Sequence, residues 1–186
     1  MLEIKNISFR LAGNSIFSSA TTYISTGSKV GVVGRNGVGK TTLFKLIENE
    51  YSPDSGEIKI KKNALVGGVS QHVPNGSETL LSTVIKADLE LASLLVEEQI
   101  AKNPNRIAEI QERIFDIDGY TAEARASSIL RGLGFSKLDE ERSCSEFSGG
   151  WQMRVALASV LFSAPDLLLL DEPTNYLDLE GSIWLE

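Results

Sequence analysis

The sequence predicts an α/β protein: a mixed core sheet, an antiparallel β section near the start, and a block of helices inserted before the last strand. Three observations lead there. Residues 1–26 alternate apolar and polar side chains in two runs separated by Ala12-Gly13-Asn14, the pattern of antiparallel strands. Residues 80–133 repeat apolar side chains at helical spacing. Elsewhere, short apolar runs end in a glycine-rich turn or an acidic pair, as buried strands of an open α/β sheet do.

Taken in order, Leu2, Ile4, Ile7 and Phe9 mark a first strand, and the β-branched and aromatic run Thr21–Ile24 marks a second. The apolar run Lys29–Val33 predicts a strand entering a glycine-rich turn, and Leu43, Leu46 and Ile47 share one face of a helix over Thr42–Asn49. Ser52–Gly56 is a turn, Glu57–Lys61 alternates again, and Leu65–Ser70 predicts a strand ending at Gln71. Val84, Ala87, Leu91, Leu94 and Leu95, then Ile107, Ile110 and Ile114, belong to a subdomain of three or more helices, divided by Asn103-Pro104-Asn105. Gly119-Tyr120 interrupts it, and Ala122–Leu133 resumes it. Ser145–Gly150 reads as a loop, Trp151–Phe162 as a helix, and Leu167–Leu170 as a buried strand that delivers Asp171 and Glu172 to its end. The organisation expected is one domain over 1–186, with core and β subdomain at 1–72 and 148–186 and a helical subdomain at 73–147.

Composition narrows the class. A chain of 186 residues with 42% apolar side chains supplies a core without staples, and the single Cys144 excludes an internal disulfide. No apolar run approaches the roughly 18 residues of a membrane span. The N-terminus also lacks the basic and apolar regions of a signal peptide, so a soluble, cytoplasmic protein is expected. Eighteen basic against twenty-five acidic residues, net charge -7, disfavour nucleic-acid binding through a broad basic face. Any RNA contact is expected to be local or to lie outside the chain.

The chemistry-bearing residues fall in three places. Gly34-Arg35-Asn36-Gly37-Val38-Gly39-Lys40-Thr41 satisfies G-x-x-x-x-G-K-[ST] between a predicted strand and a predicted helix. Glycines there let the amides of residues 37–41 turn inward on a polyphosphate, and the helix N-terminus adds partial positive charge. Lys40 can then reach β- and γ-phosphates, and the Thr41 hydroxyl can ligate Mg2+. Gly34, Asn36, Gly37, Gly39, Lys40, Thr41 and Thr42 are the candidate nucleotide contacts. Asp171, at a strand end, fits a partner to the same cation, and Glu172 fits a base that orients or deprotonates an attacking water. Gln71 presents an amide that could serve cation or water, although a glutamine at a strand end is usually only solvated. His72 reads as a surface histidine. In Phe147-Ser148-Gly149-Gly150-Trp151, Ser148 can cap the following helix, and two glycines expose amides, a second anion site far from the first. An ordinary serine-capped helix reads the same way.

Together these residues resemble the ABC-type ATPases. GRNGVGKT looks like Walker A, Gln71 the Q-loop, FSGGW the signature, LLLLDEP Walker B, and Asn175 to Asp178 the D-loop. The resemblance runs from Ile4 to the end of the chain. It implies a P-loop NTPase of the ABC type that binds ATP with Mg2+. It also implies that Ser148, Gly149 and Gly150, with Asp178, act on ATP held by a second ABC domain of the same full-length chain. SGGWQMRVALA followed by PDLLLLDEPTNYLDLEGSIWLE is similar to the ABC-F branch, as is GYTAEARASSILRGLGF at Gly119–Phe135. That implies a parent protein that acts on the ribosome and its RNA in translation. Transporter ATPases, which would have a membrane permease as partner, typically carry glutamine where Trp151 stands.

The departures are specific. The family's switch histidine lies some tens of residues beyond Walker B, whereas this chain ends fifteen residues after Asp171, so a C-terminally truncated domain is expected. Weak turnover and self-association through unpaired sheet edges are expected with it. An aromatic residue often stacks on adenine in the family, but the equivalent stretch reads Arg10-Leu11-Ala12, with Phe9 and Phe17 only nearby. A DNA-repair or chromosome ATPase would carry long coiled coils or zinc modules between the motifs. A non-catalytic ATP-dependent binding module would not need Glu172.

Overall fold

The computed structural model describes residues 1–69, 76–175 and 177–185. The chain divides into two compact units, residues 1–66 with 165–171 and residues 67–164 with 172–186. In the first unit β1 (Leu2–Leu11) is the central strand of a three-stranded antiparallel sheet, flanked by β2 (Asn14–Ile24) and β3 (Ser55–Ile60). Its buried positions change parity, from Leu2 and Ile4 to Ile7 and Phe9. With a side-chain period of two, that requires one extra residue. The register shifts between Ile4 and Ile7, and Asn6 sits there with a left-handed φ of 48°. Thr21 fastens the bulge: its hydroxyl accepts the Asn6 N–H at 2.9 Å and donates to Asn6 Oδ1 at 3.0 Å.

The buried face of that sheet meets α1 (Lys40–Ile47), which contributes Leu46 and Ile47, and β5 (Leu167–Leu169), which contributes Leu169. Phe9 stacks on Tyr51 with ring centroids 5.6 Å apart. β5 pairs with β4 (Val66–Gly68), and just before the pair the Leu167 N–H donates to the Leu65 carbonyl at 3.1 Å. The expected strand at Lys29–Val33 does not form. Those residues have no regular secondary structure, and Val33 is 96% exposed. An apolar β-branched run becomes a strand only when a neighbour takes up its backbone hydrogen bonds, and no strand among the described residues does so.

The second unit is helical: α2 (Leu80–Ile85), α3 (Leu89–Ile100), α4 (Pro104–Asp116), α5 (Ala122–Gly132), α6 (Gly149–Phe162) and α7 (Leu179–Leu185). Local chemistry sets several starts. Thr79, Asp88 and Asn103 each accept a backbone N–H at the N-termini of α2, α3 and α4, and Pro104 occupies the first turn of α4. The core gathers Leu80, Val84, Leu91, Ile110, Ile114, Leu130 and Leu157, all essentially inaccessible to solvent. Pairs Glu90–Arg113 (2.6 Å) and Glu97–Arg106 (2.7 Å) stand seven residues apart on both α3 and α4 and fix their antiparallel register. Being about half exposed, they add little stability.

Among the described residues one carboxylate is buried outright. Glu140 is 0% exposed in a 3-10 turn before α6; it accepts from Ser127 Oγ of α5 at 2.6 Å and from Lys137 Nζ at 2.7 Å. Burial raises its pKa, and the bonds from Lys137 and Ser127 outweigh burial, leaving it below the ordinary carboxylate value. A depressed folded pKa gives stability that is complete above the unfolded pKa and disappears as pH falls through the folded one. Glu140→Gln is therefore expected to destabilise the fold by about 1–3 kcal/mol near neutral pH. Urea unfolding should show the gap from wild type narrowing at acid pH; a gap independent of pH would contradict an ionised Glu140.

Candidate nucleotide-binding site

Residues 34–41 lead into α1. Gly37 (φ 79°) and Gly39 (φ 109°) adopt left-handed conformations that a side chain resists. At Gly39 there is a second constraint, because a Cβ would run into the Ile16 side chain of β2. Gly39 is the N-cap of α1 and offers no side-chain cap, so the first-turn amides are left for an external acceptor. Lys40 folds back across the loop, its Nζ donating to the Gly34 carbonyl at 3.1 Å. Thr41 Oγ1 donates to Asp171 Oδ2 at 2.5 Å, joining residues 130 positions apart in sequence. Gly34, Asn36, Gly37 and Gly39 lie in the loop and Lys40, Thr41 and Thr42 in the first turn of α1, and Asp171 meets that turn through Thr41. The hydroxyl and carboxylate form a hard oxygen donor pair of the kind Mg2+ takes.

The aromatic residues near the loop are already committed to the core. Phe9 is buried on Tyr51, and Phe17 packs against the same cluster. Arg10 is held by Asp54, which accepts its N–H at 3.0 Å and its Nε–H at 3.3 Å. Gln71 and His72 lie outside the described residues.

The second unit carries the other candidate residues. Glu172 takes a left-handed φ of 47°, and its carboxylate accepts from Asn175 Nδ2 at 2.9 Å. Ser148 occupies the N-cap of α6 in extended conformation and its carbonyl accepts the Gln152 N–H at 2.9 Å. The expected side-chain cap is absent: the Ser148 hydroxyl makes no capping bond. The helix also starts earlier than its apolar spacing indicated, taking Gly149 and Gly150 into its first turn. A Cβ on either glycine would meet nothing within 4 Å, so their lack of side chains leaves open space in front of the helix.

That space is a cavity of about 350 Å³ lined by Ser148, Gly150, Trp151, Arg154, Asn175, Leu177 and Asp178. Arg154 organises it. Its Nη1 donates to Asp178 Oδ2 at 3.0 Å and to the Leu133 carbonyl at 3.1 Å, while the guanidinium lies 4.4 Å from the centre of the Trp151 ring. The Gly181 N–H, donating to Asp178 Oδ1 at 2.8 Å, and Arg154 hold the Asp178 carboxyl below its ordinary pKa. Sequence reasoning singled out neither Arg154 nor Asn175 for these roles. Arg154 had one signal, its position three residues after Trp151 on the same helix, which puts both on one face.

The family comparison matches residues 17–175 to the ABC transporter model. "Probable ATP-binding protein YheS" of Escherichia coli is 41% identical over the whole chain, which covers 30% of that protein. "ATP-binding cassette sub-family F member 2" of Mus musculus is 37% identical, again over the whole chain and 29% of that protein. The chain thus spans under a third of the length of these curated relatives. Among solved structures, an ATP-binding subunit of an ABC transporter superposes with TM-score 0.72 at 20% identity, over all of this chain and 71% of that one. The dimeric bacterial ABC transporter cassette MJ0796 gives 0.68 at 22%, over all of this chain and 79% of that one. At such identities the structures establish the fold. No described helix is long and apolar enough to cross a membrane. With the family model matched over most of its length, the chain belongs to the ABC transporter family, and these relatives make it similar to the sub-family F proteins.

Proposed function

We propose that this domain binds Mg-ATP on residues 34–42 and that the protein carrying it hydrolyses ATP to act on the ribosome. The observation that carries the reading is the Thr41–Asp171 hydrogen bond, which brings a loop hydroxyl and a strand-end carboxylate to one point beside Lys40. When bound, Mg2+ would be held by Thr41 and Asp171, with Gln71 as a further candidate, and would neutralise phosphate charge. The chain's own residues do the rest. Amides of residues 37–41 cradle the phosphates, and Lys40 exchanges its carbonyl partners for phosphate oxygens. Glu172, its carboxylate oriented by Asn175, takes the proton of the attacking water. Ser148, Gly149 and Gly150 offer amides to the ATP of a second ABC domain, across the open face of α6. The sub-family F relatives and Trp151 in place of the transporter glutamine support the ribosomal role over a permease partner.

Lys40→Ala removes a charge-assisted phosphate contact worth roughly 1.5–3 kcal/mol, and is expected to weaken Mg-ATP binding about tenfold to a hundredfold in calorimetry. Unchanged affinity would remove Lys40 from the site. Glu172→Gln, in the full-length protein, is expected to cut turnover by about 10²–10⁴ while ATP still binds. Sedimented with cell lysate through a sucrose cushion, that variant should travel with ribosomes only when ATP is present. Recovery with membranes instead would favour the transporter reading.

A further inference from the structure

Gly132 ends α5, yet it does not have the positive φ that would call for glycine. Glycine inside a helix is the costlier choice relative to alanine. Packing supplies the reason. A Cβ on Gly132 would run into the Trp184 indole of α7, at Cε2, Cδ2 and Cζ2, so the ring lies directly against the helix backbone. The same contact closes a ring of attachments. From Trp184 the chain runs back along α7 to Gly181, whose N–H is held by Asp178. Asp178 is bound by Arg154, and Arg154 returns to the carbonyl of Leu133, next to Gly132. Two independent contacts therefore fasten residues 177–185 to α5 and α6, one polar through Arg154 and one apolar through Trp184.

What they hold is chemically important. Asp178 and Asn175 line the cavity in front of Ser148 and Gly150, and Asn175 bonds the Glu172 carboxylate. The phosphate loop, in contrast, is built within residues 34–41 of the first unit. We infer that Gly132 and Trp184 are positioning residues for ATP turnover: the indole packed on the glycine sets α7, and through it the segment carrying Asp178, Asn175 and Glu172. The inference rests on the hydrolytic reading above. It separates two quantities, because loosening this contact disturbs the segment that turns ATP over and leaves intact the loop that binds it.

The test uses the full-length protein and three variants: Gly132→Val, which displaces the ring; Trp184→Ala, which removes it; and Gly132→Leu combined with Trp184→Ala, which refills the space from the other side. Displacement of reacting groups by about 1 Å costs up to a hundredfold in rate, so each single variant is expected to lower kcat about tenfold or more, with KM for ATP within about twofold. The double variant should recover a substantial part of that loss. Amide hydrogen exchange, read in parallel, should quicken across residues 179–185 and not across α1. Should Gly132→Val fail to fold, Trp184→Ala alone carries the test, since it deletes a side chain already 44% exposed. Faster exchange in α7 with kcat unchanged would overturn the inference and leave the ATPase reading standing. A wild-type protein without ATP turnover would overturn the ATPase reading first, and this inference with it.

Discussion

The hydrogen bond from Thr41 to Asp171 is the constraint around which the first unit is arranged. For a hydroxyl near the start of the chain to meet a carboxylate 130 residues later, three conditions must hold together. α1 must begin directly after the loop, which the left-handed Gly39 permits. β5 must return to the first unit, which Leu169 does by burying itself among Leu2, Ile4, Leu46 and Ile47. The loop must also lie close to β2, where Ile16 occupies the space that a side chain on residue 39 would need. Each is a packing condition, and together they bring the Thr41 hydroxyl and the Asp171 carboxylate within hydrogen-bond distance.

A different economy operates in the second unit, where one arginine serves several partners. The Arg154 side chain is only 11% exposed, so its charge has to be met inside the protein. Asp178 supplies the counter-charge, the Leu133 carbonyl takes a second bond, and the Trp151 ring accepts the guanidinium face. A lysine could satisfy at most the point-charge part of this, because the planar fork and the stacking face are properties of guanidinium. Trp151 thus has a structural use. It packs edge-on against Phe135 with centroids 4.9 Å apart and offers its face to Arg154.

Most of the regular structure was legible because it follows from local rules. Helices α2 to α5 carry apolar side chains at helical spacing with side-chain caps at three of their starts, and a phosphate loop announces itself by glycine positions. What stayed hidden depends on neighbours. Lys29–Val33 has the composition of a buried strand and lacks the partner that would make it one, so its valines stand exposed. The bulge at Asn6 is invisible in the alternation until the parity change from Ile4 to Ile7 is recognised as one extra residue. Ser148 looked like a side-chain cap because serine usually is one; here only its backbone carbonyl serves the helix. Glu140 gives no warning of complete burial: Lys137 is a near neighbour three residues away, but Ser127, the other partner that makes burial tolerable, comes from α5.

Net charge illustrates how a global property can mislead about a local one. A chain at -7 repels polyanions on average, yet a turn such as residues 34–41 draws an anion through backbone dipoles and a lysine, which the average does not register. Much of the remaining charge in the helical unit is neutralised in pairs. Glu90 with Arg113, Glu97 with Arg106, and Arg142 with Asp139 and Glu146 turn their charge on one another, and the Glu90 and Glu97 pKa values are lowered chiefly by the bond from the paired arginine. Residues that pair internally present little net charge to an outside polyanion. Within these residues, a contact to a polyanion would therefore have to be local, made by groups that no internal pair already occupies.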